Sequence, residues 1–273
     1  MKIHIIESGS KGNATIIENG GRILLIDMGI SLTSLKEALN SLNRNVYDID
    51  CLLLTHSHSD HTKGIKYLPP LPIYCTKNTY DAKNIIEIKP YESFTLNGVE
   101  ITPVLASHDG CGDCVGYILD NKKDKVVYLT DTGYIPETTL SLMKNADYYI
   151  IESNHNLKML YQTNRPPELK ARIASDYGHL SNEDSACYIC EVIGDKTKEV
   201  ILAHLSEEAN APEVALKAYE KKFRKFHISL NKIKIKCASQ HKMIHGGNLW
   251  LNIKNGKNID SLLIKKIHFL ICI

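Results

Sequence analysis

The stretch Thr55-His56-Ser57-His58-Ser59-Asp60-His61 constrains this chain more than any other. Three imidazoles and a carboxylate follow directly on the apolar run Cys51-Leu52-Leu53-Leu54, which reads as a buried strand ending at Thr55. A hydrophobic core has no use for such a sequence. If the residues after the strand turn tightly, His56 and His58 face one point while Asp60 and His61 are offered to a neighbouring one. Imidazole and carboxylate together suit zinc, manganese or iron, and their alternation supplies two metals rather than one. The competing reading, a polar loop rich in histidine by chance, must account for four liganding side chains at one His-x-His-x-Asp-His spacing.

A chain of 273 residues can bury a large core as one domain. Its charge is nearly balanced at +2, so no global field announces a nucleic acid or a membrane, and any such partner has to be read locally. The opening Met1-Lys2-Ile3-His4-Ile5-Ile6-Glu7 turns polar too soon for a signal peptide, and no apolar stretch approaches the ~20 residues that span a bilayer. These features predict a cytoplasmic protein without membrane contact. The eight cysteines read as reduced thiols or occasional ligands rather than a disulfide framework.

The His-x-His-x-Asp-His run resembles the signature of the metallo-β-lactamase fold superfamily. That resemblance implies an α/β chain folded as a four-layer αββα sandwich, with metals held at one edge of two packed sheets. It also implies further ligands, each at the end of an apolar strand. His108, after strand 100–106, completes a first site with His56 and His58; His204, after strand 198–203, completes a second with Asp60 and His61; Asp131, closing strand 126–130, bridges the two. Asp27-x-Gly29 matches the superfamily's first motif, which makes Asp27 a group that orients the ligand loop rather than a ligand. A histidine at a strand end could instead be a satisfied core residue, and the order of the matches is what favours the ligand reading.

Later segments narrow the resemblance. Glu152-Ser-Asn-His155, Met159-Leu160, Leu169-Lys-Ala-Arg-Ile173 and Gly178-His179-Leu180-Ser181-Asn182, with the early Gly-Ser-Lys-Gly-Asn loop and Ser107-His108-Asp109, are similar to the YycJ/WalJ branch. That branch implies a 5'-to-3' exonuclease acting on DNA. The similarity runs to about Trp250; a cysteine-bearing insert after Asp109 and the tail depart from it. Residues 1–253 are therefore expected to form one hydrolase domain, and 254–273 a tail of unassigned role that docks on the body or mediates self-association.

A pair of divalent metals serves hydrolysis, but of a phosphodiester, an amide or a thioester alike. The alternative to a nuclease is thus a small-molecule hydrolase, lactamase- or thioesterase-like, using the same two metal ions, whether zinc, manganese or iron. A binding protein that keeps the fold without turnover would be expected to lack a ligand, and none is missing. The expected catalytic set is Asp60 and Asp131 at the metals, with His155 or His179 as proton donor to the leaving oxygen. Each of these two histidines could equally hydrogen-bond a ligand.

Other motifs carry two readings. The loop from Ser8 to Asn13 is either a hairpin turn or a phosphate contact. Cys111 with Cys114, and Cys187 with Cys190, have the spacing of a four-cysteine zinc site, yet cysteine on a helix also serves as small apolar filler. Lys217, Lys221, Lys222, Arg224 and Lys225, followed by Lys232, Lys234 and Lys236, form either a solvated face or a track for a phosphate backbone. Helices are expected after Ser31 or Thr33, over 62–68, over 183–193 and from Pro212 to Phe226, and a closing strand over 248–253.

Overall fold

The computed structural model describes residues 1–229 and 233–248. Most of the expected closing strand, Lys232 and the tail 254–273 lie outside the described residues. Six strands come first: β1 (Lys2–Glu7), β2 (Ala14–Asn19), β3 (Arg22–Ile26), β4 (Ile49–Leu53), β5 (Ile73–Cys75) and β6 (Ile85–Glu87). They lie side by side in that order, antiparallel through β3 and parallel from β3 to β6. A second sheet repeats the scheme with β7 (Phe94–Leu96), β8 (Val99–Leu105), β9 (Val115–Asp120), β10 (Lys125–Leu129), β11 (Tyr148–Glu152), β12 (Glu199–Ala203) and β13 (Lys234–Cys237). Its strands are antiparallel through β10 and parallel thereafter. The last described strand, β14 (Ile244–Gly247), returns to the first sheet beside β1.

The apolar runs have no polar alternate because both faces of each sheet are covered. Ile3, Ile5, Leu24, Ile26 and Leu53 of the first sheet meet Ile101, Tyr117, Leu119, Tyr128 and Ile150 of the second in one buried cluster. The outward residues of the first sheet pack against Leu35, Ala38 and Leu39 of α1 (Leu32–Ser41). Those of the second sheet pack against helices named below, including Met143, Ile189, Tyr219 and Phe223. Three cores between four layers make this the expected αββα sandwich.

Capping residues set the helix starts. Ser31 caps α1 by accepting from Ser34 N. The helix expected over 62–68 is instead α2 (Ser59–Thr62) and a single 3-10 turn at Ile65–Tyr67. Gly64 breaks it: its N–H donates to Met28 O at 2.9 Å, and a side chain there would meet Ile30 O at 2.3 Å. Helices α3 (Glu137–Met143), α4 (Leu157–Gln162), α5 (Pro167–Ile173), α6 (Asn182–Val192) and α7 (Pro212–Lys225) follow. Ser181 caps α6 through Asp184 N, and Pro212 opens α7 at a position where its missing N–H costs nothing. At the Asn97-Gly98 turn between β7 and β8 both residues have positive φ, as a two-residue hairpin requires.

Candidate metal centre

Six strands deliver polar residues to one edge of the sandwich. β3 ends in Asp27, β4 in the Thr55–His61 loop, β8 in Ser107-His108, β10 in Thr130-Asp131, β11 in Glu152 and β12 in His204. Asp27, Asp131 and His204 all take left-handed backbone, with φ of 58°, 56° and 55°. That conformation turns the chain sharply at the strand end, and aspartate and histidine tolerate it better than branched residues do.

Two groups of side chains converge there. His56, His58 and His108 form one, with imidazole rings 4.7 to 5.1 Å apart and His58 Nδ1 3.3 Å from His108 Nε2. Asp60, His61, Asp131 and His204 form the other. In it His61 Nε2 lies 3.6 Å from Asp60 Oδ2 and 3.3 Å from Asp131 Oδ2, and His204 Nε2 lies 3.8 Å from Asp60 Oδ2. Asp131 stands between the groups, its Oδ1 4.0 Å from His108 Nε2. A third group shares Asp131 and His204 and adds Glu152 and His179.

Partners behind the front line hold these rings by one nitrogen and leave the other free to ligate. Asp27, fully buried, accepts from His61 Nδ1 at 2.8 Å and from Thr55 N and Oγ1. His56 Nδ1 meets Thr55 Oγ1 at 3.0 Å, and His108 Nδ1 donates to Gly178 O at 2.9 Å. Glu152 Oε1 accepts from both His179 Nδ1 and His204 Nδ1 at 2.8 Å, while its Oε2 takes Thr132 N and Leu180 N. The sequence reading does not single out Glu152, although a carboxylate closing the buried strand Tyr148–Glu152 is the same signal that marks Asp27 and Asp131.

Charge is concentrated here. Burial drives the His56 and His108 rings below their usual range, keeping them neutral and able to ligate. Burial opposes charge on His61 too, yet Asp131 and Asp27 carry it up to about 10, and His204 rises well above its ordinary value beside Asp131 and Asp60. Glu152, which burial alone would push up, is brought down to about 2 by His179 and by hydrogen bonds from His179 and His204. A field that holds protons on buried histidines also favours divalent cations in their place. His56 Nε2, Asp131 Oδ2 and His204 Nε2 are buried without a hydrogen-bond partner, a cost of about 1–3 kcal/mol each unless a cation takes their lone pairs. The donor set fits divalent metal ions.

The loop between β1 and β2 closes one side. Gly9 N donates to Asn13 Oδ1 at 2.9 Å, which turns the Asn13 Nδ2 amide toward His61 Nε2, 3.0 Å away, and Asp60 Oδ2, 3.4 Å away. Ser8 Oγ accepts from His204 N.

A family profile described as "Beta-lactamase superfamily domain" matches residues 22–205, from the start of β3 to the residue after His204. The chain belongs to the beta-lactamase superfamily. Within that superfamily it is 35% identical over 232 residues to exodeoxyribonuclease WalJ of Streptococcus pneumoniae, covering 79% of this chain and 85% of that protein. To exodeoxyribonuclease YycJ of Bacillus anthracis it is 34% identical over 230 residues, 79% of this chain and 87% of that one. Its fold matches the crystal structure of the metallo-beta-lactamase fold protein YhfI from Bacillus subtilis, with a TM-score of 0.66 at 19% identity over 90% of this chain and 99% of that chain.

Of the superfamily residues expected from sequence, all seven metal-site candidates meet at this edge, and His179 lies beside them. His155 does not join these groups. It is buried where its backbone bridges to Ser181, its Nδ1 lacks a hydrogen-bond partner, and burial lowers its ring to about 4. Among the described residues no cysteine enters a group that could hold a metal, and all those described are free thiols. The Cys111/Cys114 and Cys187/Cys190 pairs therefore do not form one site. Of the basic row, Lys234 and Lys236 pair with Glu199 at the start of β12, and Lys222 contacts Cys187 Sγ. No helix among the described residues is long and apolar enough to cross a membrane.

Proposed function

We propose that this protein is a two-metal phosphodiesterase that removes nucleotides from DNA in the 5'-to-3' direction. The observation that carries the reading is its 35% identity, over most of both chains, to exodeoxyribonuclease WalJ. The unpartnered His56 Nε2, Asp131 Oδ2 and His204 Nε2 support a metal centre at its heart. His56, His58 and His108 would hold one cation, Asp60, His61 and His204 the other, and Asp131 both; zinc or manganese suits this set, and iron is compatible with it. Bound there, a divalent pair would lower the pKa of a shared water and neutralise charge on the phosphate oxygens.

The chain's own residues do the rest. Asp27 and Glu152 fix the tautomers of His61, His204 and His179, each by accepting from Nδ1–H. With Nδ1 engaged, His179 keeps Nε2 for the substrate side, and at 15% exposure its ring is reachable from solvent. This geometry favours His179 over the enclosed His155 as the group that protonates the leaving oxygen. The Asn13 amide presents a donor at the second group, where a phosphate oxygen would collect.

The test is a direct assay. The purified protein with manganese should release nucleotides progressively from the 5' end of a labelled DNA, and leave nitrocefin and a thioester untouched. Absence of nucleotide release across manganese, zinc and iron would overturn the assignment.

A further inference from the structure

The three imidazoles of the first group are not equally secured. The His56 and His108 side chains are buried, one pinned at Nδ1 by Thr55 Oγ1 and the other by Gly178 O. The His58 side chain is a third exposed, and among the described residues no hydrogen bond holds its Nε2. What faces that nitrogen is Asp109, whose Oδ1 stands 3.7 Å away. Arg172, in the last turn of α5, grips this carboxylate with both arms, Nε at 2.6 Å from Oδ2 and Nη2 at 2.7 Å from Oδ1. Its backbone is confined as well: a Cβ on Gly178 would fall 2.2 Å from Arg172 O. The short segment 172–178 therefore reaches two of the three rings, His108 through Gly178 O and His58 through Asp109. Among the described residues Asp109 pairs with Arg172, His58 and His108, and with no histidine of the second group.

Neutral His58 has two tautomers, and they do opposite things to the group. With its proton on Nδ1 the ring donates across 3.3 Å to His108 Nε2, whose lone pair is bare because Nδ1 is the donor to Gly178 O. That tautomer closes the group on itself. With the proton on Nε2, His58 turns a lone pair inward and each ring offers one bare nitrogen. At 3.7 Å the Asp109 carboxylate is too far for a hydrogen bond, yet it attracts an N–H at Nε2 and repels a lone pair there. Resting on the two-metal reading, we infer that Asp109, aimed by Arg172, is a positioning residue that selects the Nε2–H tautomer of His58 and so opens the first metal site. Arg172 acts by geometry rather than by charge. A guanidinium beside a cation site opposes cation binding, so its removal should tighten the site unless the carboxylate it aims is needed. The sign of the Arg172 effect separates the two.

The experiment titrates metal-free wild type, D109A, R172Q and R172K with zinc in a calorimeter. In D109A and R172Q one of the two binding steps should weaken about tenfold while the other stays within about twofold of wild type. R172K should fall between, because one ammonium cannot hold both carboxylate oxygens. Proton–nitrogen correlation spectra of the metal-free proteins should place the His58 proton on Nε2 in wild type and on Nδ1 in D109A. Urea melts check the fold: Asp109 and Arg172 are both at least a third exposed, so their pair contributes little to stability and the variants should unfold near wild type. Zinc binding in R172Q as tight as in wild type, or tighter, would overturn the inference, as would equal weakening of both steps or a wild-type His58 proton on Nδ1. Wild type that takes up no zinc would overturn the two-metal reading and this inference with it. None of these readouts uses DNA, so a failure of the exonuclease assignment is seen separately, in the nucleotide-release assay.

Discussion

Single buried side chains here are tuned by what surrounds them, and two show it in opposite ways. Glu152 is held ionised by the two histidines it serves; His4, on the outer face of β1, is held neutral. Burial and the facing His245, whose Nδ1 lies 2.8 Å from His4 Nδ1, lower the His4 ring to about 4, with Glu18 opposing and Lys2 adding to the effect. In the unfolded chain the same ring titrates near 6.5. As pH falls from 6.5 toward 4 the unfolded state takes up a proton the folded state refuses, so stability is lost across that window, by up to about 3 kcal/mol for a shift of this size. His155, also lowered to about 4, adds to the loss. Thermal melts between neutral pH and pH 4 should show the decline, and His4→Gln should flatten part of it; an unaltered slope would refute the role of His4. At this scale His108, Asp131 and His204 are legible because each follows an apolar strand, where an unpaired polar group is expensive, and His56, His58, Asp60 and His61 through their spacing behind β4. Glu152 carries the same sign, but its function depends on Nδ1 contacts to residues 27 and 52 positions further on, which no local pattern displays.

Among the elements, the ligand loop owes its shape to a backbone packed on backbone. Asn13 N donates to Asp60 O, Met28 N to His61 O, and Gly29 N to Asn13 O, so three separate segments are laced around α2. A Cβ on Gly29 would sit 1.5 Å from Asp60 O, an overlap that only movement of the loop relieves. Gly29→Ala should therefore displace Asp60 and His61 together. We expect at least a tenfold loss of metal affinity by calorimetric titration and a destabilisation of roughly 2–4 kcal/mol in urea melts. Wild-type affinity in this variant would show that the loop adapts. The same lacing explains why the expected helix over 62–68 does not form: its apolar spacing is present, but Gly64 is drawn onto Met28 and Ile30. Helices with their own caps, α1 and α6, start one residue after the serine that caps them; of the two caps the sequence offers for α1, Ser31 is the one used, and α6 starts at Asn182, one residue before the expected Glu183.

For the whole molecule, the decisive feature is that neither sheet owns the site. The first supplies His56, His58, Asp60 and His61, the second His108, Asp131 and His204. Cation binding should tie the two layers together at one edge and so stabilise the global fold. At a metal concentration a thousandfold above Kd the gain is about 4 kcal/mol, or roughly 10 °C in Tm for a chain of this size. Calorimetric scans with and without chelator would measure it, and identical transitions would argue against a site shared between layers. The layered architecture is legible in advance through the superfamily resemblance of the His56–His61 run; the structure adds that an Asp-x-Gly stands in each sheet where antiparallel pairing gives way to parallel, at Asp27 and at Asp131. Which face each helix covers is settled only by the packing of the three cores. The left-handed turns at Asp27, Asp131 and His204 cost on the order of 1 kcal/mol apiece, and glycine would remove that strain. Selection for sturdiness alone would replace these residues first, so a chain that keeps all three gives up stability at the very edge where its metal-site candidates meet.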